Sequence, residues 1–221
     1  MRYSSEIMPN PMEALIDYAF RNKGKVFFCT KGKELVAVSM FDTYNTYNIH
    51  YGTTNVTECY SFFTEPLTKS SEEYPHTPDA NHVSVIIDDD GYVYLKIGDA
   101  IYETTKEKLP TYNVKFTYFA QAQSINGISY FATQCDANEL VINTADDVIS
   151  FIANDCTGRV KLRDVKREEA TPIHRYNPAV VFDATYISFN DRYQLSLSKG
   201  GLLKLENDYK IYIAPLAGEQ Q

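Results

Sequence analysis

The residues best suited to hold a hard cation are three consecutive carboxylates, Asp88, Asp89 and Asp90, followed by Gly91. Carboxylate oxygens clustered beside a glycine turn are suitable calcium ligands. The spacing matches no EF-hand loop, however, and the tip of a β-hairpin uses the same residue types. We therefore interpret the triplet as a hairpin turn, with calcium binding as the alternative.

Thiols and imidazoles form the second group of residues that could do chemistry. The chain has four cysteines and four histidines, and the cysteines form no CxxC pair. They are Cys29, Cys59, Cys135 and Cys156, and His50, His76, His82 and His174. A zinc site is not expected from this spacing. Buried free thiols are the simplest interpretation, and intermolecular disulfides are left open.

Nucleophilic catalysis would need a thiol paired with an imidazole, and Cys59 with His82 is one such pair that folding could bring together. Nothing in the sequence favours it, and a cysteine-dependent hydrolase would also need its thiol in a cleft that lowers the thiol pKa. The sequence contains no GxSxG, P-loop or GxGxxG motif. We predict that the chain is not an enzyme and expect neither a metal nor a cofactor.

The charge balance argues against DNA or RNA as a partner. The formal net charge is -8, whereas phosphate binding needs a cationic surface. The longest basic cluster, Lys161 to Arg167, is interrupted by Asp164 and is interpreted as a solvated strand edge. No run approaches the ~20 apolar residues that span a bilayer, so no membrane partner is expected. The first residues lack a signal-peptide pattern, which favours synthesis in the cytosol.

Two helices are predicted to organise the fold. The clearest signal lies between Thr144 and Gly158, where Thr144 and Asp147 match a capping box and Gly158 is a natural stop. Apolar residues between them lie on one side of about two helical turns. A strand with alternating apolar side chains follows at 160–165. This helix is expected to pack over the apolar face of a sheet.

The other predicted helix, Met12 to Asn22, is short and is therefore expected to dock on another surface. The residues assigned to that docking arm are Met12, Leu15, Ile16, Ala19 and Phe20. Short strands account for the rest, including a pair joined by Asn126-Gly127 and later strands at 179–182 and 185–189. We predict a mainly β fold, an antiparallel β-sandwich with a short N-terminal helix and one helix packed over the sheet. Residues 1–24 would form the arm and 25–221 a single domain.

Tyrosine is the unusual feature of the composition, with 18 tyrosines and no tryptophan. A phenol has a large apolar ring and a polar tip, which suits strands and also suits interfaces. Its pKa lies near ~10, so phenols at a buried contact stay neutral until the solution is strongly alkaline. The candidates for such an alkaline switch are Tyr44, Tyr47, Tyr51, Tyr60 and Tyr74.

This layout resembles that of the cypovirus polyhedrins, which crystallise around virions in infected insect cells. The similarity rests on the N-terminal helix, the tyrosine-rich sandwich and a helix that runs directly into a strand. The local sequences that carry it are 147–165, DVISFIANDCTGRVKLRDV, and 127–131, GISYF. The resemblance implies a structural matrix protein of viral occlusion bodies that assembles into trimers and then a crystal lattice, and dissolves at alkaline pH.

The resemblance also implies partners and a location. The partners would be other copies of the chain and virion surface proteins, and the location would be occlusion bodies in the host cytoplasm. It implies that a nucleotide can bind, although no residue here matches a nucleotide motif. The alternative function is a carbohydrate- or receptor-binding β-sandwich, such as a lectin-like module or a phage tail component, because exposed tyrosines can stack on sugar rings.

Overall fold

A computed structural model describes residues 25–31, 33–40, 44–53, 57–63, 83–97, 100–104, 112–186 and 191–217. The chain divides into two compact units, which we call unit 1 (Met1–Ser39 and Asn48–Leu109) and unit 2 (Met40–Tyr47 and Pro110–Gln221). The prediction of one domain over 25–221 stays a prediction, because compactness alone does not establish independent folding. The predicted arm helix from Met12 to Asn22 lies outside the described residues.

Unit 1 consists of antiparallel strands in its described part. They are β1 (Lys25–Lys31), β2 (Glu34–Met40), β3 (Tyr44–Thr53, from Asn48 onward in this unit), β4 (Ser61–Phe63), β5 (Val83–Ile87), β6 (Val93–Ile97) and β7 (Ala100–Glu103). One set of neighbouring strands has the order β3-β2-β1-β4, and a three-stranded sheet has the order β5-β6-β7. The hairpin predicted around the aspartate triplet is confirmed, with Ile87 opposite Val93.

Buried apolar side chains from these strands form the interior of unit 1. Phe28, Leu35 and Leu95 are fully buried. The rings of Phe28 and Tyr102 meet edge to face, with their centroids 5.3 Å apart. Burial of each such Leu or Phe side chain contributes about 1.5–3 kcal/mol.

Unit 2 combines strands with two helices in its described part. The strands are β8 (Phe116–Gln123), β9 (Leu140–Asn143), β10 (Val148–Ala153), β11 (Cys156–Lys161), β12 (Arg163–Arg167), β13 (His174–Tyr176), β14 (Arg192–Ser198), β15 (Leu203–Glu206) and β16 (Tyr209–Ile213). The helices are α1 (Ile125–Gln134) and α2 (Pro178–Tyr186). The larger sheet contains β12-β8-β14-β15-β16, and the smaller one has the order β11-β10-β9-β13.

Both helices occupy segments for which the sequence predicted strands, so those predictions were wrong. In α1 the buried residues Ile125, Ile128 and Ala132 recur at helical spacing, and this stripe outweighs the turn preference of Asn126-Gly127. In α2 the Asn177 side chain accepts a hydrogen bond from the Ala179 N–H at 2.9 Å and caps the first turn. The two helices pack against each other, and α1 also packs against β10 and β11.

The helix predicted between Thr144 and Gly158 was also wrong, because this segment forms the β10–β11 hairpin. The Asn143 side chain accepts hydrogen bonds from the N–H groups of Ala145 and Asp146, which closes a turn instead of a helical cap. Gly158 lies opposite Phe151 in the ladder, and a Cβ there would be 2.2 Å from the Phe151 Cε1 atom. The glycine therefore makes room for a ring rather than ending a helix.

The strands after α2 follow the sequence prediction closely. The sequence predicts strands at 193–197, 202–205 and 209–213; β16 has the last of these bounds, and β14 and β15 differ from the first two by a residue at each end. Their buried residues alternate, as in Tyr209, Ile211 and Ile213. The described part of the chain is thus a mainly β, antiparallel fold with two helices. None of the helices in this part is both long and apolar enough to span a membrane.

Candidate functional site

The most distinctive surface of unit 2 is the outer edge of β12, which we call the edge strand. Among the described strands, β12 pairs with β8 alone and is the last strand of the larger sheet. An edge leaves a row of backbone N–H and C=O groups available for another strand. Leu162 alone separates β12 from β11, and it is buried, with its N–H bonded to the Asp147 carbonyl at 2.8 Å.

A polar cluster between the buried Tyr118 and the more exposed Asp147 and Arg167 fixes the edge strand against the rest of unit 2; we call these three residues the Tyr118 cluster. The Tyr118 hydroxyl donates to the Asp147 Oδ1 atom at 3.0 Å. The Arg167 Nη2 group pairs with the same carboxylate oxygen, and its guanidinium carbon lies 5.8 Å from the Tyr118 ring centroid. Because Tyr118 is on β8 and Arg167 on β12, the cluster joins the two strands to the turn before β10.

Threonines extend this cluster. The buried Thr144 hydroxyl donates to the Thr171 carbonyl at 2.7 Å, and the Thr144 carbonyl accepts from the Arg167 Nε–H at 3.1 Å. The hydroxyls of Thr117 and Thr171 are 3.1 Å apart. The capping role predicted for Thr144 is therefore replaced by a contact distant in sequence. These bonds satisfy polar groups that burial would otherwise leave without partners.

Exposed cations line β11 and the start of β12. Within the described part of the chain, Arg159, Lys161 and Arg163 have no carboxylate oxygen within 4 Å of their charged nitrogens. Other cations nearby are neutralised; for example, the Lys115 Nζ atom is 2.6 Å from the Glu169 Oε1 atom. That hydrogen bond raises the pKa of Lys115 and lowers the pKa of Glu169. The three unpaired cations suit an acidic partner surface or a phosphate.

The helices of unit 2 present a different surface. Neither α1 nor α2 contains a lysine or an arginine. Tyr130, Phe131 and Tyr186 are exposed, and the Phe182 ring lies 5.4 Å from that of Tyr130 and 5.7 Å from that of Tyr186. This face is aromatic and uncharged, apart from Asp183.

The structure describes only part of the predicted sites. The arm residues Met12, Leu15, Ile16, Ala19 and Phe20, and Tyr74 of the tyrosine set, lie outside the described residues. Tyr44 and Tyr60 are described: Tyr44 is buried, and the partly buried Tyr60 has its ring centroid 6.3 Å from that of Phe62. Tyr47 and Tyr51 are on β3, but their side chains are not described. The assignment of these residues to self-assembly and to an alkaline switch stays a prediction.

Burial raises the pKa most strongly at tyrosines outside the predicted set. Burial raises the pKa of Tyr118, Tyr176 and Tyr209 well above the usual value, and the hydrogen bond from Tyr118 to Asp147 adds to its shift. The Tyr176 hydroxyl donates to the Gly201 carbonyl at 2.7 Å. The alternation of apolar residues in β16 could have indicated a buried position for Tyr209, because it shares a face with Ile211 and Ile213.

Three smaller candidate sites came from the sequence: the aspartate-rich turn, a metal site and the pair of Cys59 with His82. The Asp88 carboxylate accepts hydrogen bonds from the N–H groups of Asp90 and Tyr92 at 3.0 and 2.8 Å, which confirms the turn interpretation. Among the described residues, no group of three or more His, Cys, Asp and Glu side chains could hold a metal ion. Cys59 is exposed, whereas His82 lies outside the described residues, so their pairing stays untested.

Comparison with known proteins shows which solved structures share this architecture. No family model and no curated protein matches the sequence. Among solved structures, DNA polymerase III subunit beta from Borrelia burgdorferi is similar with a TM-score of 0.59 and 12% identity, over 99% of this chain and 65% of that chain. Proliferating cellular nuclear antigen from Entamoeba histolytica is similar with a TM-score of 0.59 and 10% identity, over 92% and 94%. The chain has the fold of a sliding clamp.

A third clamp, a putative DNA polymerase III beta subunit from Eubacterium rectale, aligns with a TM-score of 0.64 and 11% identity, over 99% of this chain and 68% of that chain. This chain thus spans about two thirds of the bacterial clamp chains and nearly the whole of the Entamoeba chain. At these identities the likeness establishes the fold.

The clamp fold corrects the interpretation that rested on the polyhedrin resemblance. The occlusion-body function, the virion partners and the location in occlusion bodies were wrong, because the similar structures are clamps. The lectin-like alternative has no support from them either. The exclusion of DNA was also wrong, since proteins with this fold include DNA polymerase III beta subunits. Net charge averages over the whole surface and conceals local cationic regions such as the start of the edge strand.

Proposed function

We propose that the chain is a sliding clamp, a non-enzymatic factor that holds a DNA polymerase on DNA. The observation that carries this proposal is the likeness to clamp structures over 92–99% of the chain, which includes both units. DNA and a polymerase would be the partners. The N-terminal helix over 12–22, the arm contacts and a sandwich arrangement of the sheets remain predictions within this proposal.

A clamp needs to surround DNA, and the chain has edges suited to head-to-tail assembly. A contact between two different surfaces generates a ring when the rotation closes. The edge strand of unit 2 begins with the unpaired cation of Arg163, whereas Lys166 is paired with Glu168. In unit 1, β7 is the last strand of its three-stranded sheet among the described strands and carries the exposed Glu103, while Thr104 just after it forms a bridge with Phe62 of β4. Opposite charges favour pairing of β12 with β7 of the next copy and disfavour pairing of two identical edges.

The acidity of the chain favours a topological hold on DNA. A net charge of -8 opposes a tight, sequence-independent complex with phosphates. A closed ring needs no such complex, because it cannot leave DNA without opening or reaching an end. Retention by a ring is therefore insensitive to salt, whereas retention by charge falls steeply with salt.

A threading experiment tests this function without a polymerase or any other proposed partner protein. Linear duplex DNA carrying biotin at both ends is incubated with the chain, and streptavidin is added either afterwards or beforehand. We expect the chain to stay on the DNA in high salt only when it is added before the ends are blocked. Cutting the blocked DNA with a restriction enzyme should then release it. Binding that is independent of the order of addition, or that salt removes, would contradict the proposal.

A further inference from the structure

Two of the four cysteines are close together in unit 2, although they are distant in sequence. Cys135 follows α1, and its N–H bonds to the Phe131 carbonyl at 3.0 Å. Cys156 begins β11 and lies opposite Ala153 at the tip of the β10–β11 hairpin. Because α1 packs against both strands of that hairpin, the end of the helix meets the hairpin tip.

A surface cavity confirms this arrangement independently of the thiols. Its volume is about 370 Å³, and its lining comes from both sides of the contact. Asp136 and Asn138 line it from the segment after α1, and Ile152, Ala153 and Asn154 line it from the hairpin. Residues within three positions of Cys135 and of Cys156 therefore line the same open cavity.

The two thiols have the exposure and contact that exchange chemistry requires. Both are free and partly exposed. The neighbouring Cys156 thiol is the main cause that raises the pKa of Cys135, followed by burial. Cys29 differs, because it is buried, and burial raises the pKa of its thiol to about 11. Reaction with an oxidant is thus favoured at the pair over the buried thiol.

We propose that Cys135 and Cys156 form a redox-sensitive dithiol, which a low-molecular-weight disulfide such as oxidised glutathione converts into an intramolecular disulfide. This inference goes beyond the proposed clamp function and does not depend on it.

The reaction balances as two thiol–disulfide exchanges. One cysteine loses its proton, and its thiolate attacks a sulfur of oxidised glutathione, which releases one glutathione thiolate and leaves a mixed disulfide. The thiolate of the other cysteine then attacks the protein sulfur of the mixed disulfide and releases the second glutathione. The pair loses two electrons and two protons, and oxidised glutathione takes them up and becomes two molecules of reduced glutathione. Because thiolates are the nucleophiles, the rate should rise with pH through the raised pKa of Cys135.

The new bond would link the end of α1 to the strand that leads into the edge strand. It closes a loop between positions 135 and 156, which reduces the freedom of the unfolded chain. We expect the melting temperature of the oxidised protein to rise by several degrees. Reduction with dithiothreitol should restore the original value.

The test uses the full chain in a Cys59→Ser background, because Cys59 is exposed and would form unrelated adducts. The protein is incubated with oxidised glutathione, the remaining thiols are alkylated, and the peptides are mapped by mass spectrometry. We expect a peptide joined through Cys135 and Cys156, with a mass lower by two hydrogens than the sum of the reduced peptides. The Cys135→Ser variant should instead keep glutathione on Cys156 as a stable mixed disulfide.

Two results would overturn the inference. One is glutathione on each of the two cysteines without a linked peptide, which would show that the thiols cannot reach each other. The other is a linked peptide that forms only between two chains, recognised on non-reducing gels as a dimer. The melting temperature of reduced Cys135→Ser and Cys156→Ser variants shows whether either change disturbs folding.

Discussion

Removal of the carboxylate of Asp147 should destabilise unit 2 more than any other single change in the Tyr118 cluster. The Asp147→Ala change deletes the acceptor for the Tyr118 hydroxyl, a bond to a charged group worth about 1.5–3 kcal/mol. It also deletes the ion pair with Arg167, worth about 1 kcal/mol or less because the two side chains are 22% and 44% exposed. Asp147 has a φ of 57°, and alanine costs about 1–2 kcal/mol in that left-handed region.

Together these effects predict a loss of about 3–5 kcal/mol in the free energy of unfolding, measured by urea denaturation. The melting temperature should fall by roughly 10 °C. Asp147→Asn is the matched control, because asparagine tolerates the left-handed conformation and keeps an acceptor for the phenol. It should lose only about 1–2 kcal/mol. Hydrogen exchange gives a second measure, since the Glu168 N–H bonds to the Thr117 carbonyl at 2.8 Å beside the cluster and should lose protection in Asp147→Ala.

A double-mutant cycle isolates the hydrogen bond itself. Tyr118→Phe and Asp147→Ala should couple by about 1–2 kcal/mol, because each removes one partner of the same bond. Tyr176→Phe is the control for loss of a buried hydroxyl, since Tyr176 donates to the Gly201 carbonyl instead. Its effect should add to that of Asp147→Ala within about 0.5 kcal/mol. If the effects of Tyr118→Phe and Asp147→Ala were equally additive, the hydrogen bond between these two side chains would not stabilise the cluster.

Three further predictions concern other parts of the chain. Burial raises the pKa of Tyr118, Tyr176 and Tyr209 in unit 2 most strongly, so the folded protein keeps phenol protons that the unfolded chain releases above pH ~10. The free energy of unfolding should not change below that pH and should fall by about 4 kcal/mol per pH unit above it. Urea denaturation that shows no decline above that pH would contradict this prediction. Gly158→Ala should lower the free energy of unfolding by about 1–3 kcal/mol, because the Phe151 ring occupies the space that the added Cβ needs. Gly127→Ala is the control: no atom lies within 4 Å of its Cβ, and it should stabilise α1 by about 0.5–1 kcal/mol in the same urea denaturation assay. Arg163→Glu and Glu103→Lys should each weaken head-to-tail assembly in sedimentation at low salt, and the double variant should recover it; three equal sedimentation profiles would argue against pairing of these edges.

Strands flanked by strong turns could be predicted from the sequence. The Asp88 turn has side-chain hydrogen bonds to its own backbone, so the hairpin around it depends on local interactions. The strand from Tyr209 to Ile213 has a period of two in its buried residues and lies after a turn. In both cases the local preference and the final packing favour the same conformation.

The segments that were predicted wrongly have signals that fit both a helix and a strand. Val148, Ile149, Phe151 and Ile152 fit two helical turns as well as a strand, and the ladder with β11 decides between them. The partner strand, the contact of Thr144 with Thr171 and the left-handed Asp147 are not visible in local sequence. The clamp fold could not be predicted either, because chains with 10–12% identity share it without a common motif. The Tyr118 cluster was missed because its members are 20 and 29 positions apart.

The passage from β11 to β12 constrains how this chain can change during evolution. The two strands belong to different sheets, yet the buried Leu162 is the only residue between them. Successive strand residues point to opposite faces, so one inserted or deleted residue would exchange the inner and outer side chains of one sheet or the other. Homologous chains should therefore keep the length from 156 to 167 unchanged. Length variation should be found instead in loops that do not connect two sheets.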